Sequence, residues 1–357
     1  MKNIEINLFN KVKFVDKLTF TKHLAIMVKS GISLSSAIST LVAQTKGTAL
    51  GKVLVSIDKD TRNGSPLAKS LEKFPKVFDE FYLSMIAVGE ESGTLEKNLD
   101  FLVRHLAKED ALRKKVQGAL LYPSIVLTAA TVMAMGISLF VLPQFVEFFD
   151  SFQVELPLAT RILLTVANFM KNFGILFFAA LIGSFFISGF VVNTKFIKPF
   201  WHRFVLHIPL FGKLIRYSQL VNFSRNFGVM LSSGITVTRS LETTANTVSN
   251  LLYRDKIEKM NIYLKKGKNL SEAISKEMGD EFPVLVARMI AVGEETGNLE
   301  ETLIYLSEFY EEEIDGITKQ ITTILEPILL LVIGLVVGFV ALAIITPIYE
   351  LTGSVRR

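Results

Sequence analysis

The chain has no cysteine among its 357 residues. This absence excludes disulfide bonds, cysteine-ligated zinc, iron–sulfur clusters and catalysis by a thiol nucleophile. Histidine is scarce as well, and His23, His105, His202 and His207 form no HExxH motif or other metal-ligand spacing. The GxxxxGK[ST] phosphate loop is also missing, so another protein must supply any ATP hydrolysis that this chain needs. We predict no catalytic residue, no cofactor and no metal site, and we expect that the protein is not an enzyme.

Charge is absent from three long stretches, 116–146, 173–194 and 327–349. The whole chain is 50% hydrophobic, with a mean hydropathy of +0.41, which is unusual for a soluble enzyme. As a helix, the second stretch would be about 33 Å long, which is enough for one crossing of a bilayer. We predict an all-α integral membrane protein with transmembrane helices at 121–142, 173–194 and 326–349.

The orientation in the membrane follows from the basic residues near the spans, because cytoplasmic loops carry an excess of lysine and arginine. Nine such residues precede the first span or follow the second: Lys108, Arg113, Lys114, Lys115, Lys195, Lys198, Arg203, Lys213 and Arg216. The connection 143–172 has only two, Arg161 and Lys171, and is expected to be external. The first twenty residues have no apolar core typical of a signal peptide, so we expect a cytoplasmic N-terminus.

Three crossings then give a multi-pass protein of the cytoplasmic (inner) membrane whose C-terminus is external. The cytoplasmic blocks would be 1–120 and 195–325, and the short external tail would be 350–357. Arg356 and Arg357 in that tail are a weak departure from the charge rule.

The two cytoplasmic blocks repeat one another. The segment MIAVGEESGTLEKNLDFL at 85–102 returns as MIAVGEETGNLEETLIYL at 289–306, an offset of 204. Upstream, FTKHLAIMVKSGISLSSAIS at 20–39 aligns with the segment at 223–242 at an offset of 203. Self-similarity at a nearly fixed spacing indicates one structural unit used twice. We therefore predict two equivalent domains, each followed by a membrane helix that starts at a proline, Pro123 or Pro327.

Each domain is predicted to be a helical bundle. Leucines recur at three- and four-residue spacing, and no segment alternates with period two. Glycines interrupt this pattern, and we expect them at helix ends or tight turns, where a residue without a Cβ is favoured. They are Gly31, Gly64, Gly89 and Gly93, with their counterparts Gly234, Gly267, Gly293 and Gly297.

Paired glutamates in the repeated segment are the first candidate site. Glu90 and Glu91, like Glu294 and Glu295, could receive an arginine from a partner or bind a divalent cation. The structural alternative is that these acids stabilise a helix–turn–helix joint through the helix dipole and solvation. We consider the structural role the stronger of the two.

The residues at the entry to two of the spans are the second candidate site. Tyr122 and Pro123 stand at the start of one span, and Glu326 and Pro327 stand at the corresponding place of the other. Ionisable groups near membrane depth are costly and often functional. The alternative is that Glu326 is an acid at a helix start, at the cytoplasmic interface.

Direct nucleic-acid binding is not predicted, although block 1–120 has 19 basic and 13 acidic residues, a net charge of +6. No aromatic platform or nucleic-acid module accompanies this charge, so an acidic membrane surface or partner is the better explanation. An oligomeric transporter or channel subunit is the main alternative function, because internal repeats separated by membrane segments are common there. The spans, however, carry none of the charges expected along a solute path.

Six segments in order resemble the inner-membrane platform proteins of type II secretion systems and type IV pili, the GspF/PilC family. They are FTKHLAIMVKSGISL, VGEESGTLEKNLDFL, ALLYPSIVL, IPLFGKLIRYSQLVNFSRNFGVMLSSGI, VGEETGNLEETLIYLSEFYEEEID and LEPILLLV. The resemblance covers nearly the whole chain.

This resemblance implies a non-enzymatic, homo-oligomeric platform whose cytoplasmic repeats are six-helix bundles. It also implies a hexameric assembly (secretion) ATPase docked on the cytoplasmic side, pilins or pseudopilins in the membrane, and other inner-membrane assembly proteins as partners. In that setting the first block and the two glutamate turns would face partners in the cytoplasm. The spans with their Tyr-Pro and Glu-Pro entries would face the pilin subunits.

Overall fold

A computed structural model describes residues 11–137, 158–191, 194, 197–277, 279 and 281–354. Regular structure in these ranges is helical, which confirms the all-α prediction. The chain divides into two units. We call Met1–Lys115 with His202–Gly316 the bundle unit, and Val116–Trp201 with Ile317–Arg357 the apolar unit.

The helices of the first repeat are α1 (Phe14–Lys29), α2 (Leu34–Gln44), α3 (Ala49–Arg62), α4 (Leu67–Leu71), α5 (Glu80–Glu91) and α6 (Leu95–Gly136). The connecting helices are α7 (Leu158–Val191) and α8 (Lys198–Val205). The helices of the second repeat are α9 (Phe211–Ser232), α10 (Val237–Thr247), α11 (Leu251–Lys265), α12 (Leu270–Lys276), α13 (Val284–Thr296) and α14 (Leu299–Ser354).

Local sequence explains where these helices begin and end. Ser33, Thr48 and Asp79 each accept a hydrogen bond from a first-turn N–H at the start of α2, α3 and α5. Gly31 and Gly234 have φ of 77° and 82° at the corresponding α1–α2 and α9–α10 corners, where a Cβ would strain the backbone. Of the eight glycines predicted at turns, six have this left-handed conformation.

Apolar residues on the predicted helical faces make the core of the first repeat. Leu24, Leu54, Leu71, Leu99 and Leu102 are all fully buried in it. Leu303 and Leu306 of α14 are buried in the same way in the second repeat. The leucine periodicity of the repeated segment therefore identified the core-facing side of its helix.

The second repeat docks on the first through the corner between α9 and α10. Val229, Met230 and Ile235 of this corner join the apolar core of the first repeat. Around them, Asn246 donates to Glu80 Oε2 at 2.7 Å, and the Arg239 guanidinium lies 3.7 Å from Glu80 Oε1. Burial of apolar surface is what joins the two repeats into one unit.

Helices α6 and α14 contact each other within the bundle unit through ion pairs. Lys108 Nζ lies 2.8 Å from Glu308, and Lys115 Nζ lies 2.8 Å from Asp315. Both pairs are partly exposed, so they specify which residues face each other more than they add to stability. They show that α6 presents basic residues and α14 acidic residues at this contact.

The apolar unit contains most of the residues predicted to span the membrane. Two helices are long and apolar enough to cross a membrane by length and composition: α7, over Thr160–Ala180, and α14, over Leu299–Phe339. In α6 the shorter stretch Ser124–Met133 is apolar. Three crossings and their orientation therefore stay predictions.

The structure corrects the predicted helix starts. The first and third spans do not begin new helices at Pro123 and Pro327, because α6 and α14 run unbroken through these prolines. Helix α7 begins at Leu158, before the predicted start of the second span at 173, so it includes part of the connection that was expected to be external. Residues 1–10, 138–157 and 355–357, with Arg356 and Arg357, lie outside the described residues. Hydropathy missed these boundaries because it measures where apolar residues lie and not where a helix begins.

His105 of α6 is buried in the bundle unit, with its ring centroid 4.4 Å from that of Phe81. Burial, reinforced by the charge of Arg225, lowers the pKa of His105 to about 3. In the unfolded chain the pKa returns to about 6.5. Between these two pKa values the unfolded state binds more protons, so the free energy of unfolding decreases as the pH falls below about 6.5.

We expect His105→Phe to reduce the loss of stability on acidification from about pH 7 to about pH 5, because the titrating group is removed. Phenylalanine occupies the equivalent position of the second repeat, as Phe309. Thermal unfolding of the detergent-solubilised protein at both pH values measures the effect. His23→Phe is the matched control, since His23 is exposed. A loss in His105→Phe as large as in the unchanged protein would show that other groups cause the acid sensitivity.

Candidate partner-binding surface at the glutamate turns

Glu90, in the last turn of α5, caps the short helix α4 of the same repeat. Its Oε1 accepts a hydrogen bond from the N–H of Leu67 at 2.6 Å, and its Oε2 accepts one from the N–H of Ala68 at 2.8 Å. Pro66 precedes this helix and makes no side-chain cap. The carboxylate therefore satisfies two N–H groups that a helix start leaves without partners, and its charge is favourable there.

Glu294 does the same in the second repeat. Its two carboxylate oxygens accept from the N–H groups of Leu270 at 2.7 Å and Ser271 at 2.9 Å, at the start of α12. Asn269, at the N-cap, makes no side-chain cap hydrogen bond. This agreement between the repeats gives a physical reason for the repeated glutamate.

The glycine before each glutamate has a different role from the one predicted. Gly89 and Gly293 lie inside α5 and α13 rather than in a turn. A Cβ on Gly89 would lie 2.9 Å from the Cα of Leu95, and one on Gly293 would lie 2.7 Å from the hydroxyl of Thr302. These glycines let the following helix pack closely against the end of the preceding one. The sequence could not separate this role from a turn, because both require a missing side chain.

Glu91 and Glu295 are exposed, in contrast to their partly buried neighbours. The paired glutamates thus divide into one structural carboxylate and one that faces solvent. No group of three or more His, Asp or Glu residues able to hold a metal ion occurs in the part of the chain that the structure describes. Partner contact by the four glutamates stays a prediction.

A groove of about 1010 Å³ lies beside Glu90 and Glu91 in the bundle unit. Its acidic lining also includes Glu72 and Glu80, while Lys69 and, from the second repeat, Arg239 contribute positive charges. Apolar side chains of α2 and α5 form part of the floor: Leu34, Leu83 and Ala87. Sequence reasoning missed Glu80 and Arg239, because they approach each other only when the two repeats dock. Such a groove could accept a basic or mixed-charge segment of another protein.

The membrane-entry candidates lie far along the two long helices. Glu326 and Pro327 are exposed in α14, and Tyr122 and Pro123 lie in α6. All four belong to the apolar unit. Their predicted contact with other membrane subunits stays a prediction.

We expect Glu90→Gln to lower the free energy of unfolding by about 1–2 kcal/mol, because an amide cannot accept both backbone hydrogen bonds and carries no charge. Glu91→Gln is the matched control and should change it by less than about 0.5 kcal/mol. Denaturant unfolding of the full-length protein in detergent measures both. Equal effects at the two positions would contradict the assignment of the cap to Glu90.

Comparison with known proteins places these repeats in a family. The model of the type II secretion system (T2SS), protein F, matches residues 20–143 and 223–347. The type IV pilus assembly protein PilC of Myxococcus xanthus is 31% identical over 99% of this chain and 84% of its own length. PilC of Thermus thermophilus is 30% identical over 95% of the chain and 83% of its own length.

A type II secretion relative is similar to the same extent. The type II secretion system protein F of Pseudomonas aeruginosa is 29% identical over 94% of this chain and 82% of its own length. The two matched regions contain both copies of the repeated segments, 20–39 with 85–102 and 223–242 with 289–306. The resemblance carried by the six segments is confirmed. The chain belongs to the type II secretion system protein F family.

Proposed function

We propose that this protein is an inner-membrane platform of a type IV pilus or type II secretion machine. In this role it couples a cytoplasmic assembly ATPase to the incorporation of pilin or pseudopilin subunits into a filament. The observation that carries the proposal is the presence of two matched family repeats, together with relatives of these names that match 94–99% of this chain. The platform itself would be a non-enzymatic component.

The long helices support a mechanical role. Helix α6 runs unbroken from Leu95 to Gly136, and α14 from Leu299 to Ser354. Each begins among the core residues of a repeat and continues into apolar sequence. A continuous helix has no loop in which an applied displacement would be lost. Force received by a bundle could therefore reach the apolar segments.

The proposed topology has three crossings, two cytoplasmic six-helix bundles, a cytoplasmic N-terminus and an external C-terminus. It rests on the charge-free stretches and on the basic residues that flank the first two of them. In this topology the exposed carboxylates of Glu91 and Glu295, with the groove beside Glu91, would face the ATPase. The helix segments around Tyr122 and Glu326 would meet pilin subunits and other assembly proteins in the membrane.

Deletion of the gene for this chain tests the function. We expect loss of surface filaments, protein secretion or DNA uptake, while prepilin is still made and retained in the membrane, because subunits are no longer added to a filament. Electron microscopy, secretion assays and uptake assays measure the three outputs, with complementation as the control. If all three persist and no second copy compensates, the platform proposal is wrong and the transporter alternative becomes the better one.

Charge reversal tests the cytoplasmic surface. We expect Glu91→Lys with Glu295→Lys to reduce co-purification of the assembly ATPase, because two exposed negative charges become positive. Glu258→Lys with Glu313→Lys makes the same change of net charge at exposed positions outside the glutamate turns. Unchanged ATPase binding in the first variant, with the protein folded, would remove the glutamate turns from the interface.

A further inference from the structure

The two repeats expose equivalent surfaces very differently. In the second repeat, Val229 and Ile235 of the α9–α10 corner are only 8% and 7% exposed, because this corner docks on the first repeat. Their counterparts at an offset of 203 are Ile26 and Ile32 of the α1–α2 corner, which are 54% and 44% exposed. At Ile26 and Ile32 the first repeat therefore carries an apolar docking corner that nothing in the described chain covers, while Met27, the counterpart of Met230, packs partly buried against the core of its own repeat.

The surface that receives such a corner is also present twice. In the first repeat, Phe81 of α5 is 3% exposed and belongs to the cluster that takes up the second repeat's corner. Its counterpart in α13, Leu285, is 43% exposed. Val292 and Tyr305, also on helices α13 and α14, are 54% and 59% exposed. Leu285, Val292 and Tyr305 form what we call the open face of the second repeat.

The contact between the repeats is thus heterologous, since a corner of one meets a different surface of the other. A heterologous contact leaves one unused corner and one unused receiving surface at its two ends, and these can join further copies in a ring or filament. We propose that the α1–α2 corner of one copy docks on the open face of a second copy of this chain. This contact between copies would repeat the geometry of the contact within the chain.

Charge complementarity supports this choice of occupant. Within the chain, Lys108 of α6 pairs with Glu308 of α14 at 2.8 Å. At an offset of 204, the position of Lys108 corresponds to Glu312, and that of Glu308 corresponds to Arg104. The equivalent contact between copies would bring Arg104 of one copy to Glu312 of the next. The pair again has opposite charges, with the signs exchanged.

The neighbouring positions are compatible with this contact. Arg104 lies 2.6 Å from Asp100 in the same helix, where the second repeat has Ile304. Arg104 could therefore donate hydrogen bonds to Asp100 of its own helix and to Glu312 of the second copy, because a guanidinium has several donors. Glu80, which pairs with Arg239 inside the chain, corresponds to Val284, which is 55% exposed and extends the open face.

A second copy explains both exposed surfaces at once, because each is the counterpart of a surface that already forms the matching contact. A different protein would have to account for the corner and the open face separately. The inference deepens the proposed function by naming the contact through which platform copies would assemble. Its test measures contacts between copies of this chain, so its outcome is separate from that of ATPase or pilin experiments.

Cross-linking of the full-length protein in native membranes tests the contact, and the absence of native cysteine makes every introduced thiol unique. Arg104→Cys and Glu312→Cys are placed in two differently tagged copies that are co-expressed and treated with a short bis-maleimide. We expect about tenfold more product carrying both tags than from Arg104→Cys with Glu258→Cys, because a fixed contact raises the effective concentration of the two thiols. Lys108→Cys with Glu308→Cys in one copy is the positive control, which should cross-link without an increase in mass.

The apolar surfaces are tested by substitution in the same cross-linking assay. Ile32→Glu and Leu285→Glu should each lower the doubly tagged product about tenfold, because a carboxylate would be desolvated in the contact. Val55→Glu is the matched control, since Val55 is 57% exposed in α3 and lies outside both surfaces. Its counterpart in the second repeat is a glutamate, Glu258.

The charge pair has its own test. Arg104→Glu should reduce the self-association of the purified protein in detergent, and addition of Glu312→Arg should restore it, because the exchange recreates the opposite charges. The proposal is overturned if the intrachain control reacts while the doubly tagged product stays at the level of the Glu258 control. It is also overturned if Ile32→Glu and Leu285→Glu leave assembly unchanged but abolish the binding of another protein.

Discussion

Burial of the α9–α10 corner in the first repeat is the contact on which the rest of the bundle unit depends. Val229, Met230 and Ile235 leave water and enter a core built by the other repeat. This docking brings Arg239 to Glu80 and places α6 beside α14, where basic residues meet acidic ones. It also contributes to the buried, positively charged surroundings that keep His105 neutral. Without it, the groove beside the first glutamate turn would lose Arg239, one of the two basic residues that line it, and keep Lys69.

The repeats share the glutamate that caps the short fourth helix, and they differ in their buried ion pairs. A glutamate caps the short fourth helix in both, with nearly the same distances. In the first repeat, Lys17 pairs with Asp79 at 2.9 Å, whereas the second repeat has Leu220 and Pro283 at these positions. In the second repeat, the buried Arg225 guanidinium instead forms an ion pair with Glu311 Oε2 at 2.6 Å. The glutamate cap satisfies main-chain groups at the same helix start in both repeats. The N-cap of the next helix is not kept, because Asp79 accepts from the N–H of Tyr82 while Pro283 makes no side-chain cap. Side-chain pairs can likewise be exchanged for apolar packing.

In the proposed platform, the parts of the chain that would transmit force differ from the surfaces that would bind partners. The two bundles act as one body because their contact is apolar and supported by ion pairs along two helices. Those same two helices carry the chain into its apolar segments without a break. The exposed carboxylates and the open face do not hold the bundles together, so they can bind partners. In the proposed platform, force would pass through the helices and specificity would come from these surfaces.

The sequence by itself determined the features that depend on local pattern. Leucine spacing identified the helices and their core faces, the offset of 203–204 identified the repeats, and charge-free stretches marked the apolar segments. It also identified the glutamate turns, without separating Glu90 from Glu91. Only the tertiary structure decided that Glu90 reaches the backbone of Leu67, 23 residues earlier, and that the helices continue through Pro123 and Pro327. It alone showed that one copy of an equivalent surface is buried and the other open. The reason is that a sequence pattern reports the secondary structure and exposure that each residue favours locally. Burial and capping depend on which distant segments of the chain come into contact.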